Sequence, residues 1–124
     1  MKHFAFQDLE IYQLSKSLVK DNYSITKGFP TDEKYSLVQQ MNRASISIPS
    51  NIAEGYSRSS IKEKCHFFNM AYGSLMELVC QYEIANDQLY INVEELETFI
   101  NKAYTLSIKI SNFKTAVENS GEER

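Results

Sequence analysis

Leu96, Phe99, Ala103, Leu106, Ile110, Phe113 and Val117 follow one another at steps of three, four, three, four, three and four. A strand alternates its side chains with period two and cannot gather such a set on one face. An amphipathic helix can, and the regular seam commits it to lie lengthwise against other helices. Three further stripes precede it. Ile11, Leu14, Leu18 and Ile25 form the first, with Tyr12, Val19 and Tyr23 beside them. Leu37, Met41, Ala44, Ile48 and Ile52 form the second. Ile61, Cys65, Phe68, Tyr72, Leu75, Val79 and Tyr82 form the third, widened by Phe67, Met70, Ala71, Leu78 and Ala85 and with Met76 off it. A helix that is apolar around so much of its circumference packs on more than one side. With only 4 Gly and 2 Pro in 124 residues, there is little to break these stripes into short pieces.

The starts and stops agree with the stripes. The spacing predicts helices over about 7–26, 32–55, 60–89 and 93–118. Asp8 and Glu10 would sit in the first turn of the first helix, and Gly28-Phe29-Pro30 ends it. Thr31 is the expected N-cap of the second, with a kink expected near Pro49 and an end near Gly55-Tyr56. Ser60 with Glu63, and Asn92 with Glu95, read as capping boxes for the third and fourth. The polar tail Asn119–Arg124 is expected to fray. The resulting expectation is a single all-α domain, 1–124, folded as an antiparallel up-down-up-down four-helix bundle.

Apolar residues at 43% and charged residues at 23% suit a folded globular chain. No run of about 18 apolar residues suggests a membrane span, and the N-terminus lacks the apolar core of a signal peptide, so the cytoplasm is the expected compartment. Cys65 and Cys80 are too far apart along one helix to pair, and are expected as free, buried thiols. The net charge of −3 argues against indiscriminate nucleic-acid binding. Residues 1–64 hold nine Lys/Arg against seven Asp/Glu, whereas residues 65–124 hold four against nine.

Catalytic signals are weak. Glu63 and His66 make one Glu-x-x-His unit where a di-iron bundle uses two, so no metal site or cofactor is expected. Cys65 and His66 are neighbours on a helix and point about 100° apart. No nucleophile elbow or phosphate-binding glycine loop is present, and the chain is expected not to be an enzyme. One polar set stands out: Gln40, Arg43, Ser47, Asn51, Glu54 and Arg58 recur at helical spacing beside the second stripe, and Gly73-Ser74 with Glu77 offer a polar notch in the third. Its readings, in decreasing order of prior weight, are a solvated face, a satisfied polar network at a helix or subunit contact, and a ligand or nucleic-acid site using Arg43 and Arg58.

Ser47-Ile48-Pro49-Ser50-Asn51-Ile52-Ala53-Glu54-Gly55 resembles the signature of the 23S rRNA intervening-sequence proteins, four-helix bundles once labelled ribosomal proteins. Asp8–Tyr12, Pro30–Leu37 with Gln40, and Phe67–Leu78 are similar to other motifs of that family, and the resemblance spans roughly residues 5–115. It implies a homo-pentameric ring and kinship with the accessory proteins of diversity-generating retroelements, which act with nucleic acid and a reverse transcriptase. The family's own activity is unassigned. The function expected is therefore a non-catalytic, oligomeric binding or assembly protein, with RNA, DNA or a nucleic-acid enzyme as candidate partner. The alternative is a protein–protein interaction module without nucleic-acid affinity. Arg43, Ser47, Asn51, Glu54, Arg58, Ser74 and Glu77 are the candidate interface or nucleic-acid-binding residues.

Overall fold

The apolar stripes become helices, and the caps show where each begins. The computed structural model describes residues 1–122, with the backbone alone of Glu122. Among them are four α-helices and no strand: α1 Glu10–Thr26, α2 Leu37–Tyr56, α3 Ile61–Asp87 and α4 Val93–Glu122. Asn92 and Glu95 form a full capping box: the Glu95 N–H donates to Asn92 Oδ1 at 2.8 Å, and the Asn92 N–H to Glu95 Oε1 at 3.0 Å. Ser60 caps α3 through its Oγ, which accepts from the Glu63 N–H at 3.1 Å.

Three local expectations change. Asp8 belongs to a separate 3₁₀ turn, Ala5–Asp8, and Glu10 opens α1 instead. Gln7 holds that turn, accepting from the Phe4 N–H through its Oε1 at 2.6 Å. Thr31 caps nothing: Thr31–Glu33 is a 3₁₀ turn and α2 begins only at Leu37. A tertiary partner explains this, because the Glu33 carboxylate accepts from the Tyr90 hydroxyl at 2.7 Å while Phe29 packs on the Tyr90 ring. α2 runs unbroken through the buried Pro49 and ends at Tyr56, where the sequence places its end, with Arg58 just beyond. The tail is helical from Asn119 to Glu122, with Gly121 against Ile61; its last two positions lie outside the described residues.

The core is made where the stripes meet. Met41, Ile48, Ile52, Ala71, Leu75 and Leu78 are fully buried between α2 and α3. Burying one such large aliphatic side chain stabilises the fold by about 1.5–3 kcal/mol. Gly55 lets the end of α2 approach the start of α3, since a Cβ there would lie 2.8 Å from Phe67 Cβ and 2.9 Å from the Phe68 ring. On its other flank α3 meets α4, with Phe68 edge-on to Phe113 and Tyr82 stacked on Phe99 at 3.6 Å. A polar key crosses the core: Asn22 of α1 donates to Asn42 Oδ1 of α2 at 2.8 Å and accepts from the Tyr82 hydroxyl of α3 at 3.1 Å. α1 meets α4 more lightly. Lys102 pairs with Asp21 and donates to Ser17 at 3.0 Å, and Lys109 pairs with Glu10 at 3.0 Å.

Candidate functional site

The second and third stripes bury one side of α2 and α3, which brings the polar residues beside those stripes to a shared seam. Arg43 and Ser47 of α2 and Ser74 and Glu77 of α3, with Gln40 and Ala44, line a groove of about 340 Å³. The two hydroxyls meet across it, Ser47 Oγ lying 2.9 Å from Ser74 Oγ. Asn51, one turn along α2 and buried, donates through Nδ2 to the Ser47 carbonyl at 2.8 Å and to Ser47 Oγ at 2.9 Å. These residues therefore form a hydrogen-bonded network between two helices rather than a uniformly solvated face.

Glu54 and Arg58 do not line the groove. They pair with each other at 2.7 Å further along the seam, where the Arg58 guanidinium lies 4.8 Å over the Phe67 ring. Both are substantially exposed, so the ion pair alone contributes little. At the other end of the seam Gln81 is buried and donates to Glu77 Oε1 at 3.2 Å. Arg58 Nε and Gln81 Oε1 are the two buried side-chain atoms among the described residues that have no hydrogen-bond partner. Such atoms are costly in a finished structure, and both lie along this seam.

Arg43 makes no ion pair among the described residues, so the groove presents a guanidinium and a carboxylate on opposite walls. Neither hydroxyl has a histidine as hydrogen-bond partner; His3 instead contacts Asp8 at 2.8 Å. Glu63 heads the first turn of α3, and no group of three or more His, Cys, Asp or Glu side chains is arranged around a metal position among the described residues. Cys65 is buried, and burial raises its thiol pKa. Cys80 departs from expectation and is exposed, because it falls on the outward side of α3.

Two features of α3 were not legible from periodicity. Gly73 sits mid-helix, and among the described residues nothing outside its own helical turn lies within 4 Å of where a Cβ would stand. Met70 and Met76, one turn to either side, are 44% and 39% exposed, and Ile84, about three turns further on, is 42% exposed. The sequence does show the glycine, but whether it is there for an internal contact needs coordinates.

The fold and this seam define a class: an all-α four-helix bundle whose polar residues collect between its two most intimately packed helices. The family model for 23S rRNA-intervening sequence proteins matches residues 7–112, and the chain belongs to that family. It is also similar to a crystal structure from Bacteroides thetaiotaomicron of a protein with unknown function from the S23 ribosomal protein family. That likeness has a TM-score of 0.77 at 19% identity, covering 84% of this chain and 97% of that one. Among curated proteins none matches significantly. No helix among the described residues is long and apolar enough to cross a membrane.

Proposed function

We propose that the chain is a non-catalytic, cytoplasmic assembly protein, an antiparallel up-down-up-down bundle that self-associates through the outward face of α3 into the ring the family resemblance implies. The observation that carries this reading is Gly73. A glycine inside a helix costs about 0.5–1 kcal/mol relative to alanine. Among the described residues nothing outside its own helical turn stands within 4 Å of the Cβ position it leaves empty. A second helix brought close to the backbone would use it, and Met70, Met76 and Ile84 would supply the apolar rim. The antiparallel order is supported by Phe68 meeting Phe113 and Tyr82 meeting Phe99 between α3 and α4, and by Lys102 pairing with Asp21 while the later Lys109 pairs with the earlier Glu10 between α4 and α1.

The partner of the assembled ring is nucleic acid or a nucleic-acid enzyme, with Arg43 and Arg58 repeated around one face. A protein partner without nucleic-acid affinity is the second reading, favoured by the net charge of −3. Mass in solution tests the assembly. The wild type should exceed one chain, whereas Gly73→Lys should fall to one chain with its helicity intact; a monomeric wild type ends the proposal. An anisotropy titration with structured RNA at about 50 and about 200 mM salt separates the partner classes, because phosphate contacts weaken steeply across that range.

A further inference from the structure

Leu89 is the non-glycine residue with positive φ among the described residues, at +64°. It stands where α3 stops: its N–H donates to the Asn86 carbonyl at 3.0 Å, and the Tyr90 N–H reaches the Ala85 carbonyl at 2.9 Å. Helices that close this way use glycine, or sometimes asparagine, because a Cβ is strained in the left-handed region. Here the position holds a large branched side chain that is 88% exposed. The strained backbone thus holds an apolar side chain out in solvent rather than in the core. Residues held in this way cluster where a structure meets something else.

The surroundings specify the something else. Residues 83–97 carry five carboxylates and no lysine or arginine. Three residues beyond Leu89, Asn92 begins the wall of a cavity of about 430 Å³ between α1 and α4. Ile25, Tyr82 and Phe99 give it apolar walls, and Asp21, Glu94 and Glu95 line it with carboxylates. Lys102 already pairs with Asp21, and Glu95 caps α4, but Glu94 has no ion-pair partner among the described residues. An apolar wall under a carboxylate rim matches a long cationic side chain, whose stem lies on the wall while its head meets the acids. Leu89 in turn needs an apolar seat.

We propose that this end of the bundle is a docking site for a protein segment that alternates basic and apolar residues. An arginine or lysine of the partner enters the α1–α4 cavity, and Leu89 inserts into the partner. None of the residues lining the cavity is among Gly73, Met70, Met76 and Ile84, so binding there is read apart from self-association. The acidity of this end repels nucleic acid, which makes it a protein site.

The test uses the full chain and a fluorescein-labelled peptide of alternating leucine and arginine, compared with the same peptide carrying citrulline, the neutral isostere of arginine. The arginine peptide should bind saturably and the citrulline peptide at least tenfold more weakly. Leu89→Gly, which relieves the backbone strain, and Glu94→Gln with Glu95→Gln, which retains a capping side chain, should each weaken binding at least tenfold. Glu63→Gln at the opposite end removes equal charge per site and should leave binding unchanged. No saturable binding of the arginine peptide overturns the proposal, as does binding that survives both the leucine and the glutamate changes. A loss with Glu63→Gln equal to that with the other variants overturns it too, since only diffuse attraction would then remain.

Discussion

At the scale of single residues, the informative positions are those where local preference and the observed residue disagree. Gly73 occupies a helix interior that alanine would favour, and Leu89 a left-handed turn that glycine would favour. Gly55 is the contrasting case, a helical glycine with an internal reason. Gly55→Ala gains helix propensity but drives a Cβ into Phe67 Cβ and within 3.2 Å of the Lys64 carbonyl, neither of which can rotate away. Overpacking wins, and urea denaturation should show a loss of about 1–3 kcal/mol. Tyr82 gives a residue-scale pH effect. Burial, reinforced by the nearby charges of Asp21 and Glu95, raises its pKa above the ordinary 10.0. The folded state therefore keeps a proton that the unfolded chain releases near pH 10, so this contribution to stability is intact below that pH and declines above it. Denaturation midpoints between about pH 9 and 11 should fall less steeply for Tyr82→Phe than for the wild type.

At the scale of elements, each helix has a different cause. α4 follows from its seam and from a reciprocal cap, so Asn92→Ala should cost about 1 kcal/mol, read as a lower thermal midpoint with little change in far-ultraviolet ellipticity. Most of the stripes identified by spacing are buried, with Met41, Ala44, Ile48 and Ile52 in α2 and Phe99, Ala103, Leu106 and Ile110 in α4, whereas Tyr23 of the first stripe and Met70 and Tyr72 of the third are exposed. Helix existence was therefore legible in the sequence. The start of α2 was not, because the Glu33 carboxylate accepts both from the Leu37 N–H that opens the helix, at 3.5 Å, and from Tyr90, 57 positions along the chain, and capping rules see only the local partner. The candidate seam was half legible. Spacing placed Arg43, Ser47 and Asn51 on one side of α2, but only the packing of α2 on α3 shows that Ser47 meets Ser74 while Glu54 and Arg58 stay outside the groove.

At the scale of the whole molecule, assembly should change which thiol is reachable. Cys80 is exposed on α3, whereas Cys65 is buried with a raised pKa, so it should react slowly with a thiol reagent in any state. If α3 faces another copy, Cys80 should be slow in the assembled protein and fast in Gly73→Lys; equal rates in both would place the contact elsewhere. The light joint between α1 and α4 has its own consequence. α1 meets α4 across two exposed ion pairs and a cavity, and α4 begins only at Val93. During synthesis α1 can rest on α2 as soon as that segment emerges, yet its other flank stays open to water until α3 and α4 have followed. A helix made before its three neighbours is thus enclosed only after the last of them, and a message cut short before α4 yields a chain with that flank uncovered.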